Sequence, residues 1–429
     1  MININLLREK PELIKESEQK RNRDPKVIDQ ILKADEDWKK ELKKVEQLKH
    51  QRNIVSQEIN QLIKEKKKPV EKIKQMRKVA ADIKEGEEKV NELLERRDKQ
   101  LLQIGNILHN TVPYGKDDSE NVEVKKWGKI PTFSFPIKTH VELIEKLDLA
   151  DFDTSAKVSG NGFYYLKKEL ALLNQALIRF GIDFMNKKKY TYIEPPLMLR
   201  KNILDAAIDT NEWSKTIYSV EGEDSALIGT SEYALLGMHI NETMQEKDLP
   251  KKYFSYSMCF RKEVGAHGIN EKGLWRTHQF NKIEQFIFCK PNESNKFFFE
   301  LLQNSEEILQ ALKLPYRVLE ICSGDLSLWK HRSYDLEVYR PTIKNYGEVM
   351  SLSNCTDYQA RKLGIKVEIN QERKVVHTLN NTALATSRIM VAILENFQTK
   401  QGTVKIPSVL WPYMGGVKEL GKNYEKRKT

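Results

Sequence analysis

The chain has 429 residues, 39% of them hydrophobic and 31% charged, with a formal net charge of +11. That length predicts at least two domains, and the apolar share is enough for a real core. No stretch approaches the ~18 apolar residues of a membrane span, and the segment from Met1 to Lys10 carries no apolar leader, so a cytosolic protein is expected. The basic excess favours a polyanionic partner, although a lysine-rich proteome yields the same number. Cys259, Cys289, Cys322 and Cys355 form no C-x-x-C pair. They are expected to be small buried residues rather than a disulfide framework or a structural zinc site.

Residues 27–63 carry an apolar stripe, Ile31, Ala34, Trp38, Leu42, Val45, Leu48, Val55, Ile59 and Leu62, spaced by three or four apart from a gap at Arg52. This spacing predicts one long amphipathic helix, stopped by Lys66-Lys67-Lys68-Pro69. A second stripe follows, with Ile83, Val90 and Ile104 on a seven-residue grid that also contains Arg97. Two such helices joined by a short turn make an antiparallel coiled-coil hairpin, too thin to hold a catalytic core. Its tip is basic: Lys64, Lys66, Lys67, Lys68, Lys72, Lys74, Arg77 and Lys78 are offset only by Glu65 and Glu71. A solvated turn would look like this, and so would a phosphate-binding tip that releases counterions from nucleic acid.

A polar connector, residues 109–135, separates the hairpin from a mixed region. A helix is expected over 160–184, strands over 190–193, 282–288 and 316–321, and further helices over 296–312 and 384–397. Strands with long irregular connections and few βαβ signals predict an α+β domain, an antiparallel sheet with helices segregated around it. The expected division is 1–112 for the helical arm and 113–429 for the enzyme-like domain. Neither a G-x-G-x-x-G turn after a strand nor a G-x-x-x-x-G-K-[ST] loop is present, so ATP, if used, is held another way.

Three segments carry chemistry. Phe260-Arg261-Lys262-Glu263 leads through a glycine-bounded loop to Trp275-Arg276-Thr277-His278-Gln279-Phe280-Asn281-Lys282-Ile283-Glu284. Two strands joined this way would gather Arg261, Glu263, Phe280 and Glu284; alone, an Arg-x-Glu reads equally as a surface ion pair. The stretch from His377 to Arg388 runs from a polar turn into an apolar helix carrying a single arginine. Such an arginine needs a partner from elsewhere, a carboxylate or a phosphate. Gly229-Thr230-Ser231-Glu232, Glu348-Val349-Met350-Ser351 and Ser353-Asn354-Cys355-Thr356-Asp357 set small polar groups and carboxylates on short segments. These suit an amino acid or a magnesium ion, or plain capping and turn chemistry.

Together these strings resemble the second and third signature motifs of class II aminoacyl-tRNA synthetases. The fuller strings, CFRKEVG, RTHQFNKIEQF, SYDLEV, SNCTDYQARK and HTLN…ATSR…AILENFQT, are similar to those of seryl-tRNA synthetases, as are the opening LLREKPELIKES and the hairpin. The resemblance covers nearly the whole chain. It implies activation of L-serine with ATP and transfer to tRNA(Ser), with Mg2+, by a cytoplasmic homodimer. The segment from Tyr190 to Pro196 looks like the first motif, which belongs to the dimer interface in that family.

By this resemblance Arg261 contacts the α-phosphate and the serine carboxylate, and Arg388 the γ-phosphate and one face of adenine, with Phe280 on the other. Glu348 and Ser351 hold the metal. Lys262, Glu263, Thr277, His278, Gln279, Val349 and Met350 complete the ATP site. The serine pocket is Thr230, Glu232, Arg261, Glu284, Asn380 and Thr382, with each carboxylate's share left open. The arm reaches the tRNA. Two departures stand out: Ile269 and Lys272 occupy a loop where the family often has two arginines, and Asn381-Thr382 replaces the usual Gly-Ser. A non-catalytic RNA-binding relative is the competing reading, and loss of either signature arginine would have favoured it.

Overall fold

The structure is a computed structural model that describes residues 1–208, 216–264 and 272–422. It comprises two compact units, Met1–Ile107 and a larger one beginning at Leu108. Leu108 and Val112, which the sequence reading assigned to the arm, pack with Ile321 and Leu326 inside the second unit.

In the first unit, α1 (Ile4–Glu9) and α2 (Pro11–Lys20) precede two long helices, α3 (Lys26–Lys64) and α4 (Val70–Leu101), which pair as a hairpin. At ~1.5 Å per residue α3 is ~58 Å long. Its seam is the expected one: Ile31, Val45 and Val55 on α3 and Val79, Ile83 and Val90 on α4 are buried. At Gly86 the helices leave no room for a side chain: a Cβ there would lie 2.6 Å from Val45 Cγ2. Arg97, the charged member of the apolar grid, is buried too. It donates to Asp35 Oδ1 at 3.1 Å, and its guanidinium lies 4.8 Å from the Trp38 ring centroid. Asp35 also binds Arg8 and Lys39. The seam charge is thereby neutralised, which is what burial of an arginine demands.

The second unit is built on an eight-stranded sheet. Its strands are β1 (Val122–Trp127), β2 (Thr191–Tyr192), β3 (Lys251–Phe260), β4 (Gln279–Cys289), β5 (Tyr316–Glu320), β6 (Arg332–Arg340), β7 (Asn345–Thr356) and β8 (His377–Ala385). Their order is β1-β5-β6-β7-β8-β4-β3-β2. All neighbours are antiparallel except β2 and β3. The surrounding helices are α5 (His140–Lys146), α6 (Phe152–Ser159), α7 (Lys168–Lys187), α8 (Lys201–Ala207), α9 (Glu232–Gly237), α10 (Ser294–Ala311), α11 (Tyr358–Lys362) and α12 (Thr386–Asn396).

Helices α7, α10 and α12 pack against the sheet. There they bury Leu336, Met350, Leu352, Leu379, Ala383 and Ile283 in the main core. Strand side chains alternate between faces, so the polar residues interleaved with these, among them Asp335, Ser351, Asn380 and Glu284, share the other face. The α+β reading therefore holds. The helix expected from residue 160 begins only at Lys168, because Tyr165–Leu166 pair with Ala150–Asp151 instead. The four cysteines are buried and free, and no helix among the described residues is long and apolar enough to cross a membrane.

Candidate active site

On the polar face of the sheet, register decides which side chains meet. Ser353 lies opposite Asn380, and Thr382 opposite Glu284, which in turn faces Ser255. Three irregularities tune the alignment, one of them at Cys355 on β7, between the pairs Asn354–Leu379 and Thr356–Thr378. Val349 is an extra residue on β7 between the pairs Leu336–Met350 and Glu337–Glu348. Ala383 is a similar insertion on β8, between Thr382–Glu284 and Leu384–Ile283. Each insertion re-aims the strand by one residue while keeping its core face apolar.

A first cluster joins three of the sheet's strands to α9. Glu232, the first residue of α9, accepts at Oε1 from Gln359 Nε2 at 2.8 Å and from Asn380 Nδ2 at 3.1 Å. Thr230 Oγ donates to Glu284 Oε2 at 3.4 Å and accepts from the Glu232 backbone N–H. Lys282, two residues along β4 from Glu284 and hence on the same face, lies 2.5 Å from its Oε2. Burial and then the neighbouring Glu284 charge push Glu232 up to about 7. Neighbouring carboxylates disfavour double ionisation, and the Lys282 charge offsets this only in part. Asn380 Nδ2 is also 3.7 Å from Cys355 Sγ, and burial with the Glu232 charge holds that thiol well above its usual range.

A second cluster begins at Arg261, whose Nε donates to Gly229 O, adjacent to Thr230, and whose guanidinium carbon lies 5.3 Å from the Phe280 ring centroid. The β3–β4 pairing carries this contact, since Cys259 stands opposite Phe280. Glu263 accepts from Arg276 Nη1 at 3.1 Å. Lys262 Nζ lies 5.9 Å from the Tyr218 ring, and His278 Nδ1 is 2.9 Å from Arg261 O. Thr277 is buried, and Gln279 donates weakly to Met258 Sδ. Of the loop between the strands, Ile269 lies outside the described residues. Lys272 is ion-paired with Glu145 and Asp153.

The third cluster supplies the partner expected for Arg388. Its Nη1 donates to Glu348 O at 2.7 Å and to Glu348 Oε2 at 3.1 Å. Burial opposes ionisation of Glu348, but the Arg388 charge and hydrogen bond outweigh it and hold the carboxyl below its usual range. Asp335 faces Ser351 across β6 and β7. Burial first and the Glu348 charge second raise its carboxyl well above the usual range, and its Oδ1 is buried with no hydrogen-bond partner. Lys330 Nζ approaches Ser351 Oγ at 3.4 Å. Val349 and Met350 are buried in the core, so any part they take in binding a nucleotide falls to their backbone.

Four contributors were missed by reading the sequence: Lys282, Lys330, Asp335 and Gln359. Strand alternation counted back from Glu284 would have found Lys282. Asp335 and Gln359 stand inside strings already singled out, but their partners are cross-strand or cross-element and leave no local signal. The arm residues lie within the first unit: Lys64, Lys66, Lys67, Lys68, Lys74, Arg77 and Lys78 are exposed, while Lys72 is half-buried and pairs with Glu58.

Comparison with known proteins places the chain in a family. Residues 216–397 match the tRNA synthetase class II core domain (G, H, P, S and T), and residues 1–108 match the seryl-tRNA synthetase N-terminal domain. A serine–tRNA ligase of Methanocella arvoryzae is 44% identical over 98% of this chain and 100% of its own length. The crystal structure of seryl-tRNA synthetase from Pyrococcus horikoshii complexed with ATP superposes with a TM-score of 0.92 at 42% identity, covering 98% of this chain and 99% of that one. The cytoplasmic serine–tRNA ligase of Naegleria fowleri in complex with AMP gives 0.88 at 37% identity, covering 98% of each chain.

Proposed function

The chain belongs to the seryl-tRNA synthetase family, and from that premise we propose that it activates L-serine with ATP to seryl-adenylate and transfers the seryl group to tRNA(Ser). The observation that carries the reading is the polar strip on the open sheet face. A carboxylate pair, Glu284 buried and Glu232 half-buried, with hydroxyl and amide partners stands beside one arginine, and a second arginine is held against a carboxylate–hydroxyl pair.

The serine pocket is Thr230, Glu232, Glu284, Asn380 and Thr382, with Arg261 at its edge. The carboxylates suit an ammonium, and the hydroxyl and amide groups suit the serine hydroxyl; an analogue lacking that hydroxyl leaves buried polar groups unpaired. In activation, a serine carboxylate oxygen attacks the α-phosphate, the bond to the bridging oxygen breaks, and pyrophosphate leaves with the electron pair. Negative charge grows on phosphate oxygens, and Arg261 and Arg388 are the fixed cations that meet it. Both present a planar fork suited to phosphate, and Phe280 offers adenine a stacking face. Lys262, Glu263, Thr277, His278, Gln279 and the backbone at Val349 and Met350 line the rest of the ATP site.

The residues present fit a magnesium ion. The raised Asp335 carboxyl and its unpartnered oxygen beside Glu348 and Ser351 are what an oxygen-ligand cation site leaves behind. Glu348 and Ser351 would hold the ion, which when bound neutralises phosphate charge. The lysine-rich tip of the arm grips tRNA by backbone and shape. The protein works as a cytoplasmic homodimer; the exposed apolar residues Tyr192, within the first-motif segment, and Leu197 and Met198, directly after it, support that assembly.

The test is ATP–pyrophosphate exchange with serine, threonine, alanine and glycine, without tRNA. Serine-dependent exchange that Arg388→Ala abolishes is the expected result. A folded protein that binds tRNA but exchanges with no amino acid overturns the reading.

A further inference from the structure

We propose that Trp275 is a positioning residue for ATP activation: its indole orients the Arg388 guanidinium, and a closed circuit of contacts orients the indole. The proposal rests on the reading of Arg388 as an ATP contact.

The Arg388 guanidinium carbon lies 5.5 Å from the Trp275 ring centroid, and that of Arg340 lies 4.2 Å from the same ring. Arg340 is gripped at two points by Glu395, Nη2 to Oε1 at 2.8 Å and Nε to Oε2 at 3.2 Å. Glu395 is fully buried and stands two turns along α12 from Arg388, on the same side of the helix. His140 Nδ1 lies 3.1 Å from Glu395 Oε1, and His140 Nε2 accepts from the Leu274 backbone N–H at 3.3 Å. A ring nitrogen that accepts is unprotonated, so Nδ1–H donates to the carboxylate. Leu274 precedes Trp275, and the circuit closes: Trp275, Arg340, Glu395, His140, Leu274.

The fit against β7 is equally specific. A Cβ at Gly347 would lie 2.4 Å from Trp275 Cζ2 and 2.7 Å from Cη2. The indole therefore lies where any larger residue at 347 would displace it, next to Glu348, the other partner of Arg388. Arg388 is long and flexible, and Glu348 anchors only its Nη1. An aromatic face alongside restricts the guanidinium plane and lowers the ordering cost when ATP arrives. Leucine at 275 keeps bulk and removes that face; phenylalanine keeps a smaller one.

The experiment compares the full-length wild type with Trp275→Leu and Trp275→Phe. In pyrophosphate exchange, Trp275→Leu is expected to cost about tenfold in kcat/KM for ATP, the size of a desolvated cation–π contact. Its KM for serine should stay within about twofold, and Trp275→Phe should recover part of the loss. ATP should also change the tryptophan emission of the wild type, and the change should shrink in Trp275→Phe although five of the six tryptophans remain. Wild-type ATP kinetics in Trp275→Leu, or equal losses toward serine and ATP, overturn the proposal. If Trp275→Leu does not fold, Trp275→Phe decides: an emission change and ATP affinity identical to wild type sink it. A wild type that shows no serine-dependent exchange refutes the enzymatic reading instead, and ATP affinity from the emission titration still tests Trp275.

Discussion

Glu348 and Ser351 present their side chains on the same face of β7 although they stand three positions apart, because Val349 is an extra residue opposite Leu336 and Glu337. In a regular strand, residues three apart point to opposite faces. The insertion therefore creates the carboxylate–hydroxyl pair. Ser351→Ala should raise the magnesium concentration for half-maximal exchange roughly tenfold, with maximal rate at saturating metal much less affected. Magnesium titrations of exchange rate check this; an unchanged midpoint removes Ser351 from the metal site.

Arg388 donates to Glu348 through one nitrogen only and faces Trp275. Replacing it with lysine keeps the charge and loses the planar fork. Arg388→Lys should lose ~100-fold or more in kcat for exchange, with little change in melting temperature. Steady-state exchange beside thermal unfolding separates the two effects.

Burial and the neighbouring Glu284 charge raise Glu232 to about 7. An ammonium favours its ionised form, so serine binding should release a proton near pH 7 and KM for serine should fall as pH rises from about 6 to 8. The sign for stability is opposite: the group binds its proton more tightly when folded, so its contribution is full below its unfolded value and lost as pH rises through about 7. Calorimetric titration in buffers of different ionisation enthalpy measures the released proton. Glu232→Gln should abolish the release.

Burial resists ionisation of Asp35, but hydrogen bonds from Arg8 and Lys39 overcome it and pull the carboxyl down to about 2. Its stabilising share is complete above the unfolded value near ~3.9 and is lost as pH falls toward about 2. Asp35→Ala removes the interhelical partner of the buried Arg97, leaving it Asp98 alone, and should cost about 2 kcal/mol in the hairpin. Amide hydrogen exchange along α3 and α4 should rise while the sheet of the second unit stays protected.

The hairpin was legible because a long helix writes its burial into the sequence every three or four residues. The predicted 27–63 became Lys26–Lys64, and 384–397 became Thr386–Asn396. The false start at 160 arose where the chain found a tertiary partner, Ala150–Asp151, that local periodicity does not encode. Within the site, Glu232, Glu284 and Asn380 stood in recognisable strings and do meet. Gln359, which fixes Glu232, and Trp275, which backs Arg388, act through contacts between distant segments. Strand insertions at Val349 and Ala383 set which neighbours meet, and no residue pattern announces an insertion.

The buried Arg97–Asp35 pair gives the arm a single reading. An apolar seam alone would tolerate sliding α4 along α3 by one heptad, ~10 Å of travel. Such a slide would carry Arg97 from Asp35 to Leu42 or Ile28 and break the pair between the helices, leaving Arg97 with Asp98 and Asp35 with Arg8 and Lys39, at about 2 kcal/mol. The arm is in this sense a ruler: the span from Asp35 to the lysine tip is a fixed length, written by one ion pair. Adding seven residues to both helices beyond the pair would lengthen the ruler, whereas adding them to one helix would jam it.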